Sequence, residues 1–465
     1  MYYRPDEKAA CGDVIPFYKD GTWYLFYLKD FRDIENCGEG VPWCLVTTQD
    51  LVHYTDHGEV IPRGTKDEQD LYVFTGSCIE ANGKYYIFYT GHNHLAPMLE
   101  RVLLAESDDL YHWRKCPDFV LDAPEWAATR DFRDPFVFEN PEGSGWCMLT
   151  TTQMQGADGL PVSANLIAYS DDLLHWSFPD KPFYTPSAYT SPPECADLFR
   201  MGDWWYLLFS EYSDRLVTCY RMSKSPFGPW ITPTDDSLDG AIYYAAKSAS
   251  DGRQRILFGW NRTKADNTDK GIYQWGGTIV PHELTQNPDG TLRVGCPSQI
   301  AAQYTVPQSL QEDALAKNHV VKTDCGWRIG AQESRSTKLL GALPRYCRLE
   351  LDFTSTDKNG CFGLLLRTEK GEPGYALRFE PRFEQLVFWD GVPNHFESQR
   401  WCPLMPGETH HLTVIVEDSV LEAYIDGAIA QSSRMYDHTG ANWGLFAINT
   451  TVDFANIELY TLPEN

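Results

Sequence analysis

The stretch ECADLFRMGDWWYLLFSE, Glu194–Glu211, carries an acid at its head, a Gly-Asp turn in its middle and a densely aromatic run after it. Two apolar runs joined by turn residues read as a β-hairpin. The same unit recurs as GDVIPFYKDGTWYLFYL from Gly12, TGSCIEANGKYYIFYTG from Thr75, RDPFVFENPEGSGWCMLTTT from Arg133 and YYAAKSASDGRQRILFGW from Tyr243. The units begin roughly 50 to 60 residues apart, the length of a four-stranded propeller blade. Five blades account for residues 1–300.

A second element fills the intervals: TTQDLVHYTDHG, ESDDLYHWRKC and YSDDLLHWSFP. It is expected to close a turn, with its aromatic residue between sheets. Recurrence at matched positions makes His112 and His175 structural rather than metal ligands. After GTLRVGCPSQI the strands lengthen and alternate, as in YCRLELDFTS and HHLTVIVEDSVLEAYIDG. Period-two alternation with frequent turns predicts a β-sandwich over 301–465. The chain therefore reads as all-β, a five-bladed β-propeller followed by a C-terminal β-sandwich.

The 465 residues suit two domains rather than one core. The formal net charge of −26 argues against nucleic acid or an anionic membrane as partner. No apolar window reaches the length of a membrane span and no leader precedes the first strand, so a cytoplasmic protein is expected. Thirteen scattered Cys without a CxxC pair agree with reduced thiols. Aromatic residues at 14% suit short strands and also surfaces that stack on sugar rings.

Inner propeller strands line one central channel, so the heads of the five units converge. Three of them offer acids: Asp13, Asp134 and Glu194. Blades two and five offer Ser77 and Tyr244 instead. Glycoside cleavage needs one carboxyl to attack or activate water and another to protonate the leaving oxygen. A third can hold sugar hydroxyls and keep the acid's pKa high. The alternative is that short acids merely cap turns at strand starts. His92 and His94 in YTGHNHLAPM lack a third ligand for a metal and are placed at the funnel's border. Trp43 is either a stacking platform for a sugar or core. Cys195 is expected to tune Glu194 rather than attack.

RDP before an aromatic strand, then EC and DLF one blade later, resemble the motifs of glycoside hydrolase family 32, the β-fructofuranosidases. FTGS at Phe74–Ser77 is similar to the family's WSGS, DGAIYYAAKS from Asp239 to FYAPQ, and FGWN, which includes Trp260, to LGW. QWGGTIVPHEL from Gln274 resembles WRGAMSLPREL, and VIVEDSVLEAYIDGAIAQSSRMY resembles a strand of the family's sandwich domain. The resemblance implies a retaining hydrolase of sucrose, fructo-oligosaccharides or related fructosides. It implies Asp13 as nucleophile, Glu194 as acid/base and Asp134 holding fructose hydroxyls with Arg133 positioning it. Ser77, Trp43, His92, Tyr244 and Trp260 would bind substrate. No metal or organic cofactor is implied, and the sandwich offers a surface for a homo-oligomer.

The first blade departs from the pattern. The family's WMNDPNG is replaced by ACGDVIPFYKDG, so Gly12 stands where an Asn helps bind fructose. Asp30 and Asp33 compete with Asp13 for its role, although strand polarity favours Asp13. Two other readings stay open: an inverting arabinofuranosidase or xylosidase, and a non-catalytic carbohydrate-binding propeller.

Overall fold

The computed structural model describes residues 1–463 apart from 7, 128–130, 157–158, 187–191, 214, 313, 331–332, 371–373 and 392–397. The five aromatic hairpins are the inner strand pairs of five blades. Blade one comprises β1 (Ala9–Lys19), β2 (Thr22–Phe31), β3 (Trp43–Thr48) and β4 (Tyr54–Ile61). Blade two holds β5 (Tyr72–Ala81), β6 (Lys84–His92), β7 (Glu100–Ser107) and β8 (Trp113–Leu121). Blade three has β9 (Phe132–Glu139), β10 (Trp146–Gln155) and β11 (Pro161–Ser170), with a bridge from Tyr169 to Ser177 on its outer side. Blade four has β12 (Glu194–Met201), β13 (Trp204–Glu211) and β14 (Val217–Ser223), edged by bridges to Ile231 and Ser237. Blade five holds β15 (Tyr243–Ser250), β16 (Arg255–Lys264), β17 (Tyr273–Gln286) and β18 (Leu292–Gly295).

The first strands of the blades touch in cyclic order, β1 to β5, β9, β12, β15 and back to β1. Pairing of β17 with β1 at Cys11 and Gly277 closes the ring. Apolar clusters lie between consecutive blades. Ile15, Phe26 and Trp43 meet Ile87 and Tyr89 between blades one and two, and Cys147 and Leu149 meet Leu207 and Phe209 between three and four. Both faces of these strands are covered, which is why their aromatic runs are continuous rather than alternating.

The Asp-Leu segments are structural turns. Asp50, Asp109 and Asp172 each accept the backbone N–H groups two and three residues on and the Nδ1 of His53, His112 or His175. The intervening Leu51, Leu110 and Leu173 have φ of 63°, 70° and 70°. Trp113 and Trp176 then meet Phe26 and Phe88 of the preceding blade edge-on.

The C-terminal part is a sandwich of two antiparallel sheets. Tyr346–Ser355 alternates buried and half-buried positions, and its inward Leu349, Leu351 and Phe353 face Phe362, Leu364 and Phe379 of the second sheet. Strands Val420–Ile425 and Ile429–Arg434 are buried on both faces because one lies against the propeller. There Arg434 donates to the carbonyls of Asn261 (2.7 Å) and Arg262 (2.9 Å) and to Thr278 Oγ1 (2.7 Å). Among the described residues no helix is long and apolar enough to cross a membrane.

Candidate active site

Each inner strand carries one extra residue relative to its partner, always at the same end of the blade. The register slips between Cys11 and Val14 in β1, and between Phe74 and Gly76 in β5. It slips again across Arg133 and Phe136 in β9, Glu194 and Asp197 in β12, and Tyr244 and Lys247 in β15. A bulge bends its strand and re-aims a side chain. Repeated around a ring, it turns Asp13, Thr75, Asp134 and Cys195 out of their ladders toward one axis. Asp134, Cys195 and Ala245 hold φ of 58°, 56° and 52°, a left-handed backbone that costs energy for non-glycine residues and gathers at functional sites.

The cavity above this axis has a volume of about 350 Å³ and is lined by Asp13, Asp134, Glu194, Arg133, Tyr244 and Trp275, among others. Asp13 Oδ1 accepts Trp260 Nε1–H (3.0 Å), and Oδ2 accepts the Thr75 hydroxyl and the Cys195 thiol (3.5 Å). Asp134 Oδ2 accepts Cys195 N–H (2.8 Å), while its own N–H donates to Thr90 Oγ1 (2.8 Å). Glu194 Oε1 receives Nε and a terminal nitrogen of Arg133 (3.2 and 3.1 Å), and Oε2 receives the Tyr244 hydroxyl (2.9 Å). The rest of the Arg133 fork goes to Glu100 (3.2 Å) and Asp131 (2.6 Å).

Burial decides the protonation states. It drives Glu194 up to about 8 against the opposing pull of Arg133, helped by the negative charges of Asp134 and Asp13. Burial also lifts Asp134 to about 6, opposed by Arg133 and by the Cys195 amide. Asp13 is raised by burial as well, but the Thr75, Trp260 and Cys195 donors and the charge of Lys247 offset that rise. Burial thus favours the protonated form most at Glu194, while donors from Thr75, Trp260 and Cys195 hold Asp13 and the Cys195 amide holds Asp134. Burial pushes the Cys195 thiol up, so it is no nucleophile.

The structure brings Asp13, Asp134, Glu194, Arg133 and Tyr244 to one cavity, with Trp260 touching Asp13. It does not bring Ser77 or Trp43 there. Ser77 is buried one turn of the pleat deeper, where its Oγ accepts Val137 N–H (2.9 Å). Trp43 is fully buried beside Phe26 and Tyr89, its indole N–H on the Phe74 carbonyl (3.2 Å). His92 lies behind the wall, against the Phe74 ring and 3.3 Å from Glu100. His94 is half-exposed and 3.5 Å from Glu39. Asp30 lines the cavity but is tied to Arg32, and Asp33 caps the short helix Ile34–Cys37. Sequence reasoning missed Thr75, Glu100 and Trp275. The bulge signal that singles out Thr75 is only the glycine after it.

Among the described residues Asp239, His282 and Glu422 bring potential metal-ligand atoms within 4.8 Å of one another. They lie at the junction with the sandwich, away from the cavity. Their atoms are already engaged: Asp239 with His282 (3.0 Å) and Ser432 (2.8 Å), and Glu422 with Asn261 (2.8 Å).

The profile of the glycosyl hydrolases family 32 N-terminal domain matches residues 15–293, and that of the family's C-terminal domain matches residues 318–461. The chain belongs to glycosyl hydrolases family 32. Among relatives of this family 32 chain, the sucrose-6-phosphate hydrolase of Escherichia coli is 24% identical over 422 residues, 85% of this chain and 80% of that protein. The sucrose-6-phosphate hydrolase of Zymomonas mobilis is 27% identical over 493 residues, covering 96% and 88%. The fold matches that of fructan 1-exohydrolase IIa from Cichorium intybus with a TM-score of 0.76 at 17% identity, over 100% of this chain and 97% of that one.

Proposed function

We propose that this chain hydrolyses β-fructofuranosides with retention of anomeric configuration, the observation carrying it being the convergence of Glu194, held by Arg133 and Tyr244, and Asp13, held by Trp260 and Thr75, on one cavity. In the first step an Asp13 oxygen bonds the anomeric carbon as the bond to the leaving oxygen breaks. That oxygen takes the Glu194 proton. Glu194, now a carboxylate, removes a proton from water, whose oxygen displaces Asp13 and regenerates both groups. Asp134, held by the Cys195 amide, receives hydroxyl donors of the sugar. Arg133 spans Glu194 and Glu100 and fixes the acid's orientation.

A volume of about 350 Å³ sits at the low end of ligand cavities, which run from roughly 300 to 1,000 Å³. It favours a single terminal sugar over the interior of a polymer, and hence action from the chain end. The names of the relatives, sucrose-6-phosphate hydrolases and fructan exohydrolases, support fructose as that sugar. The β-propeller would supply the site over 1–300 and the sandwich a second domain from 301.

The test is a panel of sucrose, 1-kestose, levanbiose, inulin, levan and arabino-oligosaccharides, with the first-formed anomer followed by NMR. Free fructose formed with retention is expected. Arabinose formed with inversion would transfer the protein to the rival reading, and binding without turnover would make it a carbohydrate-binding propeller.

A further inference from the structure

The inner strand of blade five carries a charge that the scheme above leaves unused. Lys247 is the first paired residue after the β15 bulge and is only 2% exposed. In the segment compared with the family's FYAPQ it stands at the Gln position. Its Nζ donates across the centre of the ring to the carbonyls of Gly76 in blade two (3.1 Å) and Ala196 in blade four (3.0 Å). It also lies 5.0 Å from the centre of the Phe136 ring in blade three. One ammonium thus contacts three blades besides its own.

Both carbonyls belong to residues that follow a contact of Asp13. Gly76 follows Thr75, whose hydroxyl donates to Asp13. Ala196 follows Cys195, whose thiol reaches Asp13 and whose amide reaches Asp134. The other cation of the cavity floor, Arg133, spends its fork on Glu194, Glu100 and Asp131. The ionisable groups around Asp13 are Asp134 from β9, Glu194 and Cys195 from β12, Tyr244 and Lys247 from β15. Asp197, also near Lys247, is engaged by Ser248 through its N–H (2.8 Å) and hydroxyl (2.6 Å). Lys247 is therefore the one cation of this set not committed to another carboxylate.

We propose that Lys247 is a positioning residue: it fixes Thr75 and Cys195 against Asp13 and sets a buried ammonium beneath the two aspartates of the cavity. The proposal rests on Asp13 acting as nucleophile. Lys247 touches no substrate. The Phe136 ring beside Nζ can hold a cation without neutralising it; burial pulls the Lys247 pKa down, and the charges of Cys195, Asp197, Asp134 and Asp13 pull it back.

Lys247→Gln keeps a donor for the carbonyls and removes the charge; Lys247→Met removes both. The acid limb of the kcat/KM–pH profile, to which Asp13 and Asp134 both contribute, should move up by about one pH unit in each, a tenfold change in that joint equilibrium. The alkaline limb, set by Glu194, should move less. A uniform fall in kcat with the acid limb unmoved would overturn the proposal, leaving Lys247 a structural tie. If the Met variant does not fold, the Gln variant carries the test alone. Titration of 13Cγ-aspartate resonances, with Asp13→Asn for assignment, reads the same midpoint without turnover. A raised Asp13 midpoint in a protein inactive on fructosides would retain the charge relation while the fructosidase reading fails. An unmoved midpoint would reject it whatever the activity.

Discussion

The indole of Trp275 occupies the space in which a side chain at Gly12 would begin. A Cβ at position 12 would lie 2.0 Å from Cη2 and 2.5 Å from Cζ3 of that ring. The ring sits 5.7 Å from Trp260, and the Trp275 carbonyl accepts Arg32 (2.8 Å), so a wall of the cavity depends on the absence of a side chain at 12. This part of the cavity wall is therefore an aromatic face. Gly12→Asn should swing the half-exposed ring outward and raise KM about tenfold or more. Gly12→Asn combined with Trp275→Ala should match Trp275→Ala alone, because the second change removes what the first displaces. Contacting residues couple by about 0.5–3 kcal/mol in such cycles. Steady-state kinetics on the four proteins measures this, and simple additivity would refute the steric account.

Glu194 predicts two pH dependences. Its pKa rises from 4.5 to about 8 on folding, so between those values the native state binds the proton and the unfolded chain does not. Stability contributed by that proton is present at low pH and declines as pH rises through this window. Glu194→Gln, which cannot ionise, should flatten the fall of Tm between pH 5 and pH 8 in about the same range. The same variant should lose about 10²–10⁴ in kcat/KM on sucrose and far less in kcat/KM on a fructoside with an activated aryl leaving group, which departs without protonation, since kcat/KM reports the steps up to the fructosyl-enzyme. Equal losses on both substrates would remove Glu194 from the acid role.

The hairpins of the propeller were legible because a strand covered on both faces needs a continuous aromatic run, and five such runs at one spacing admit few folds. The sandwich was legible from alternation, as in Tyr346–Ser355. The carboxylates were legible because strand heads converge in a propeller whatever the loops do. What stayed hidden depends on bulges and on contacts far apart in sequence. Ser77 and Thr75 differ by two residues and share a face in an ideal strand; the bulge after Phe74 sends Thr75 to Asp13 and leaves Ser77 on Val137. Trp43 has the same composition as a sugar platform and is core, since nothing local reports what covers a ring. Glu100 heads a third strand, a position without a motif, and reaches the site at the cavity wall and through Arg133.

Thr75 and Ser77 should therefore separate in function. Thr75→Val removes the hydroxyl on Asp13 and should lower kcat by roughly tenfold, about 1.4 kcal/mol, with the acid limb of the pH profile raised. Ser77→Ala strips an acceptor from the buried Val137 N–H and should cost about 1–3 kcal/mol of stability while kcat hardly changes. Urea unfolding and kinetics on both variants check this. A catalytic loss in Ser77→Ala without destabilisation would restore Ser77 to the site.

The junction between propeller and sandwich gives the last prediction. Ser432 Oγ lies 2.8 Å from Asp239 Oδ2 and 2.5 Å from Glu422 Oε2, and one hydroxyl has one proton to give. One carboxyl must donate to it. Glu422 is the one, since burial and the charge of Asp239 push it well above the carboxylate range. Glu422→Gln replaces that O–H with an N–H and should change stability by less than about 1 kcal/mol at neutral pH, while weakening its decline in alkali. Arg434→Met is the contrast. It leaves the carbonyls of Asn261 and Arg262 without their donor across the junction and removes a buried cation from Glu422. Each buried carbonyl left without its donor costs about 1–3 kcal/mol. Urea midpoints of the two variants over a pH series distinguish the cases; a Glu422→Gln protein as unstable as Arg434→Met would mean that Glu422 is ionised in the folded chain.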